Sequence, residues 1–117
     1  MQDFRVGIFG LTKESAERKL KLVVDEFDKE LIKLREKDRV VLKDGGSFTA
    51  CGARCESQVR GRRNNLIYVD TRLKDTLILK EVILPSLMPK RSLVGVDGLN
   101  YYVENMNWDA RYYIRWF

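Results

Sequence analysis

Apolar residues recur along this chain in three rhythms, and each rhythm predicts a different element. Phe4-Arg-Val-Gly-Ile-Phe-Gly10 is a compact apolar run whose Gly7 and Gly10 mark close backbone approach or a tight exit, which predicts a short strand. From Lys13 to about Lys37 there is neither proline nor glycine. Ala16, Leu20, Val23, Phe27, Leu31 and Leu34 recur there at steps of three and four, one face of a single helix. Thr12 offers a hydroxyl N-cap, and Glu14 and Glu17 stand in the first turns where the helix dipole favours acids. A helix of that length would span roughly 37 Å. Its outer face carries the acid-before-base pairs Glu14–Arg18, Glu17–Lys21 and Asp25–Lys29, each worth about 0.3 kcal/mol.

The second half changes period. Arg39-Val-Val-Leu-Lys43 and Ser47-Phe-Thr-Ala-Cys51 read as paired strands about an Asp44-Gly45-Gly46 turn. Gly52 to Asn65 is rich in glycine and arginine and has no period, so it reads as loop. Leu66-Ile-Tyr-Val69 is a continuous apolar run, the mark of a strand buried on both faces. Thr71 or Asp75 opens a helix carrying Leu77, Ile78, Val82 and Leu84, ended or kinked at Pro85. Ser92-Leu-Val-Gly-Val96 is a further buried strand, and the aromatic tail Tyr101–Asn105 and Tyr112–Phe117 predicts a C-terminal hairpin turning near Trp108-Asp109-Ala110. The alternation of strands and helices predicts one α/β domain over residues 1–117: a mixed sheet with a parallel centre, one long and one shorter helix packed on it, and a C-terminal β-hairpin.

Composition narrows the chemistry. At 117 residues with 44% hydrophobic and 33% charged residues, the chain belongs with soluble globular domains, and no apolar run reaches the length of a membrane span. No secretory leader is visible at Met1-Gln2-Asp3-Phe4, so a cytoplasmic location is expected. Histidine is absent, which removes the commonest general base and metal ligand together. Cys51 and Cys55 have no second Cys/His pair with which to build a zinc site, and they read as small residues on or beside a strand. The net charge of +5 is unevenly spread. Residues 13–37 hold eight basic and seven acidic side chains, whereas 50–63 hold four arginines against one glutamate.

That arginine surplus is the leading candidate for binding. Arg60, Arg62 and Arg63 straddle Gly61, with Arg54 upstream, and guanidinium forks grip phosphates bidentately. Contacts to duplex backbone phosphates would be sequence-independent and steeply salt-sensitive. No aromatic residue interleaves with the cluster, so stacking on an unpaired strand is the less favoured mode. The loop after the first strand, Gly7-Ile-Phe-Gly10-Leu-Thr12-Lys13, sits where phosphate could be cradled, but it lacks the G-x-x-x-x-G-K-[ST] spacing and reads as a tight turn with a threonine cap. Asp70 and Asp97 each follow a buried strand. On parallel neighbouring strands the two carboxylates would share a divalent cation such as magnesium; otherwise each simply opens a turn. Tyr113, Trp116 and Phe117 form an apolar terminus that either packs into the domain or makes an interface between copies.

Residues 39–88 resemble the central part of the ATPase domain of bacteriophage large terminases, the DNA-packaging motors. The likeness lies in Val40-Val-Leu-Lys-Asp-Gly-Gly-Ser47, in Arg60-Gly61-Arg62-Arg63, in Leu66-Ile-Tyr-Val-Asp70, and in a helix closing on Leu84-Pro85. In that family the apolar strand ends in an aspartate that assists magnesium, followed by a catalytic glutamate. Asp70 matches the aspartate; Thr71 stands where the glutamate would be, and the phosphate loop is missing. The resemblance therefore implies a small phage- or prophage-type protein with a motor-like half-domain that has lost hydrolysis. Three functions are carried forward. The first is a non-enzymatic module engaging nucleic acid or a phosphate-bearing partner through Arg54, Arg60, Arg62 and Arg63. The second is an oligomeric or phage/host protein-interaction module built on Tyr113, Trp116 and Phe117. The third is a metal-dependent phosphoryl-transfer or nuclease enzyme using Asp70 and Asp97.

Overall fold

A computed structural model describes residues 2–52, 64–87, 96–97 and 114–117 of the chain. Its strands are β1 (Gln2–Asp3), β2 (Arg5–Gly10), β3 (Ile32–Arg35), β4 (Arg39–Leu42), β5 (Ser47–Gly52), β6 (Leu66–Val69), β7 (Val96–Asp97) and β8 (Ile114–Trp116). Among the described residues, six of them form one mixed sheet in the order β3-β4-β5-β2-β6-β8, and β1 pairs with β7 in a separate two-stranded ribbon. β5, β2, β6 and β8 run parallel, while β4 is antiparallel to both of its neighbours, β3 and β5. The expected α/β fold with a parallel centre is what the chain adopts.

β6 shows why that centre is parallel. Its four residues are all buried, and they alternate between two cores. Leu66 and Tyr68 join Phe4, Ile8, Phe48, Leu20 and Val23 beneath the helix α1 (Lys13–Asp25). Ile67 and Val69 join Phe9, Cys51, Leu73, Val82 and Ile83 on the opposite face. A strand covered on both faces needs apolar side chains at every position, which is the pattern read from its sequence.

The predicted long helix is shorter than its periodicity implied. α1 starts as expected, with Thr12 and Ser15 closing a reciprocal cap, but it ends at Asp25 rather than near Lys37. Phe27 turns in to meet the Phe48 ring at 5.5 Å, a 3-10 turn follows over Lys29–Leu31, and residues 32–35 become β3. The run Ile32-Lys-Leu-Arg35 also alternates at period two. Pairing it along β4 satisfies a row of backbone groups that a continued helix would leave bare, so tertiary pairing overrides local propensity. The ion pairs follow the new geometry. Glu14–Arg18 forms at 3.6 Å, but Asp25 pairs with Arg35 at 2.6 Å and Glu17 with Lys37 at 3.5 Å.

The hairpin β4–β5 turns as expected, with Gly45 at φ 95°, a conformation glycine adopts without strain. The segment after β6 is more broken than one helix. Asp70 caps a 3-10 turn over Thr71–Leu73, the backbone breaks at Asp75, and the chain then forms a π-helical segment Leu79–Ile83 running into a 3-10 turn Leu84–Ser86 that contains Pro85. Of the predicted C-terminal hairpin, the last strand is β8, which pairs in parallel with β6; residues 101–113 lie outside the described residues. No helix among the described residues is long and apolar enough to cross a membrane.

Candidate functional site

The carboxyl ends of β5, β2 and β6 meet the amino end of α1, and glycine makes that meeting possible. Gly10 and Gly52 are partners on the last rung between β2 and β5. A Cβ on Gly10 would stand 2.6 Å from the Ala16 nitrogen, and one on Gly52 would stand 2.6 Å from the Lys13 nitrogen. The first turn of the helix is therefore seated directly on the sheet edge. This is the place where strand–turn–helix folds collect ligands.

Asp70 leaves β6 at the same edge and is committed to structural bonds. Its carboxylate accepts from the Leu11 N–H at 3.4 Å and the Arg72 N–H at 2.9 Å. Arg72 also grips it in a fork, Nη2 to Oδ2 at 2.6 Å and Nε to both oxygens at 3.1 Å. The Arg72 side chain donating these bonds holds the carboxyl below the usual carboxylate range, against the opposing pull of burial. The Thr12 and Ser15 N–H groups of the turn are used as well, since these two residues cap one another. A buried carboxylate thus occupies the part that a phosphate would play after β2. In the fold this aspartate ties loop to strand.

Asp70→Ala is expected to cost about 2 kcal/mol, because it strips two N–H groups and a guanidinium of their acceptor; Arg72 is 60% exposed and is rescued by water, which limits the loss. The sign of the pH dependence follows from the lowered folded pKa. Asp70 stabilises the fold above the ordinary carboxylate pKa, and that contribution disappears as pH falls through its lower folded value. Chemical denaturation between pH 2 and 6 should show a flatter acid limb for Asp70→Asn than for the parent. Identical limbs would refute the assignment.

The backbone of Asp97 stands at a different level of the fold from Asp70, on a strand that is not a neighbour of β6. β7 pairs with β1, in the register Asp3↔Asp97, whereas the Asp70 N–H reaches the Phe9 carbonyl at the far end of β2. Some six residues of strand, roughly 20 Å, separate those levels. A shared cation would need both carboxylates within about 2.6 Å of it. Among the described residues no group of three or more acidic, cysteine or histidine side chains is placed to hold a metal.

The predicted arginines Arg54, Arg60, Arg62 and Arg63 lie outside the described residues, as does Tyr113. Their segment leaves the described sheet at Gly52, on the carboxyl edge, and rejoins it at Asn64, on the amino edge. There the Asn64 N–H donates to Ser86 O and the Asn65 N–H donates to Arg5 O. β6 therefore stands between Asn64 and Asp70.

Reasoning from the sequence missed a second group of cations that the fold assembles at the carboxyl edge. A cleft of about 450 Å³ is lined by Ser15, Arg18, Lys19, Leu22, Asp70, Thr71, Arg72 and Phe117. Lys19 lies 5.6 Å from the Tyr68 and Phe117 ring centres, and Lys74 lies 5.8 Å from Trp116. Phe117 is fixed there: its N–H donates to Val69 O, and its oxygen accepts from both the Thr71 N–H and the Thr71 hydroxyl at 2.7 Å. The one signal available beforehand was the Asp-x-Arg spacing of Asp70 and Arg72, which suits an acid capping a turn and pairing two residues on. Trp116, 41% exposed, stands on β8, the outermost strand on that side among the described residues. No protein-family model matches this chain, and no curated protein is significantly similar to it.

Proposed function

We propose that this protein is a non-enzymatic α/β binding module that engages nucleic acid through its backbone phosphates, with Arg54, Arg60, Arg62 and Arg63 as its principal cations. The observation that carries the reading is the group of cations at the carboxyl edge of the sheet, beside the strand from which the arginine-rich segment leaves. The arginine-rich segment departs at Gly52, and Arg18, Lys19, Arg72 and Lys74 surround the neighbouring strand ends. Among the described residues Lys19 and Lys74 lie over aromatic rings rather than against carboxylates, which leaves their charge to an anion. The non-enzymatic reading draws support from the commitment of Asp70 and of the Leu11, Thr12 and Ser15 N–H groups to internal bonds. The terminase resemblance adds a phage-type setting in which a half-domain keeps the strand and aspartate without the reaction. A second reading, self-association or a protein partner at β8, draws on the exposure of Trp116.

Salt titration tests the leading reading. If the three clustered arginines neutralise about three phosphates, the affinity for duplex DNA should fall roughly fortyfold between 50 and 200 mM salt. Replacing Arg60, Arg62 and Arg63 together by glutamine should remove most of that slope. Fluorescence anisotropy with a labelled duplex reads both effects. No binding at 50 mM salt, or a triple variant with an unchanged slope, would overturn the proposal.

A further inference from the structure

The cleft at the carboxyl edge unites two chemistries that lie far apart in sequence. Leu22, 63% exposed, and the half-buried Phe117 supply apolar surface, and Arg18, Lys19 and Arg72 supply charge. The lining carries the three cations Arg18, Lys19 and Arg72 against two carboxyl groups: that of Asp70 is buried beneath Arg72, and the main-chain carboxyl of Phe117 accepts from the Thr71 N–H and hydroxyl. Glu14 stands 3.6 Å from Arg18, but both side chains are at least three-quarters exposed, and such a pair gives way readily to a stronger anion.

Arg72 is held in advance. Its Nε and Nη2 donate to Asp70, which fixes the guanidinium plane while 60% of the side chain faces solvent. The hydroxyl protons are already used, that of Ser15 on Thr12 O and that of Thr71 on Phe117 O, so anion binding falls to the guanidinium and ammonium groups. The space is a shallow, open depression of about 450 Å³, an extent that matches one nucleotide rather than a duplex.

We infer that this cleft holds one nucleotide of an unpaired strand, its base against Phe117 and Leu22 and its phosphate on Arg18 and Arg72, so that the module prefers single-stranded nucleic acid. The inference rests on the nucleic-acid reading above and deepens it. A base in a duplex hides its face in the stack, whereas an unpaired base offers that face to an aromatic side chain. No aromatic residue interleaves with the arginine loop in sequence, yet folding brings Phe117 and its neighbouring cations to the same edge from which that loop departs.

The experiment compares a labelled twelve-residue oligothymidine with a duplex of the same length at 50 mM salt. Single strand is expected to bind at least tenfold more tightly. Phe117→Ala and, separately, the solvent-facing Leu22→Ser should each weaken single-strand binding about tenfold and leave duplex binding unchanged. Arg18→Gln should lower the single-strand salt slope by about 0.7. Leu22→Ser and Arg18→Gln alter exposed positions, so they test the cleft even where Phe117→Ala disturbs the last strand. Equal or tighter binding of duplex, or single-strand affinity indifferent to Leu22→Ser and Arg18→Gln, would overturn the cleft while leaving the arginine-loop reading in place. Failure of both nucleic acids to bind would remove both proposals together.

Discussion

Phe48→Ala is expected to lower the unfolding free energy by about 4 kcal/mol, the largest effect of any single substitution considered for this chain. Phe48 is fully buried in β5 and meets two rings edge-on, Phe4 at 6.3 Å and Phe27 at 5.5 Å. Those contacts join three separate pieces of the fold: the chain entering β2, the end of α1, and the hairpin. Truncation removes the transfer energy of a benzyl group and leaves a cavity that Phe4 and Phe27 cannot both fill without moving backbone. Aromatic pairing adds about 0.5–1.5 kcal/mol per contact beyond buried area. A domain of this size holds roughly 5–15 kcal/mol in all, so the variant should be marginal at 37 °C. Urea unfolding should show the loss in the midpoint with little change in slope, and Phe48→Leu should cost less than half as much. A loss below about 1 kcal/mol for alanine would mean that the three-ring contact does not organise the core.

The same residues show which parts of the fold are legible in sequence. β6 is readable because burial on both faces demands an unbroken apolar run, and Leu66–Val69 supplies one. The start of α1 is readable because Thr12 caps locally. Its end is not. Phe27, Leu31 and Leu34 keep helical spacing, and only the open edge of β4, some residues away in sequence, decides that 32–35 pair as a strand instead. The Asn64–Asn65 pair was equally silent. Read as the tail of a loop, it joins the entry of β6 to Ser86 through Asn64 and to Arg5 through Asn65, whose Oδ1 accepts from the Arg5 N–H at 2.6 Å.

The candidate site divides along the same line. Asp70 was singled out as a carboxylate at a strand end, and it lies there, held by Arg72 two residues on and by Leu11 from the turn after β2; Phe117 and Lys19, which line the same cleft, come from positions that only folding brings close. Asp97 looked equivalent because it also follows an apolar run, yet strand order is a non-local property, and β7 belongs with β1. Charge surplus is visible in a sequence only where it is contiguous. The arginines at 54–63 stand out for that reason, while Arg18, Lys19, Arg72 and Lys74 are hidden among acids until the helix and the strand end are superposed.

Above pH 10 the fold is expected to lose stability steeply, and Tyr68 is the cause. The side chain lies under α1 in the middle of the apolar core, where burial pushes its phenol up to about 12; the Arg115 guanidinium beside it works in the opposite direction and does not prevail. The raised folded pKa sets the sign. Below pH 10 both folded and unfolded chains keep the proton, and Tyr68 makes its full contribution. Between about 10 and 12 the unfolded chain releases the proton while the folded chain retains it, so each pH unit favours unfolding by about 1.4 kcal/mol and the whole interval by nearly 3 kcal/mol. The measurement is a difference that isolates the one oxygen: urea unfolding of the parent and of Tyr68→Phe at pH 8, 9, 10, 11 and 12. Phenylalanine keeps the ring that Lys19 and Arg115 cover and removes only the ionisable oxygen. Stability of the parent should fall away from that of the variant above pH 10. Parallel curves up to pH 12 would show that the phenol reaches solvent, and that the α1-facing core is looser at β6 than the packing of Leu20, Val23 and Leu66 around it requires.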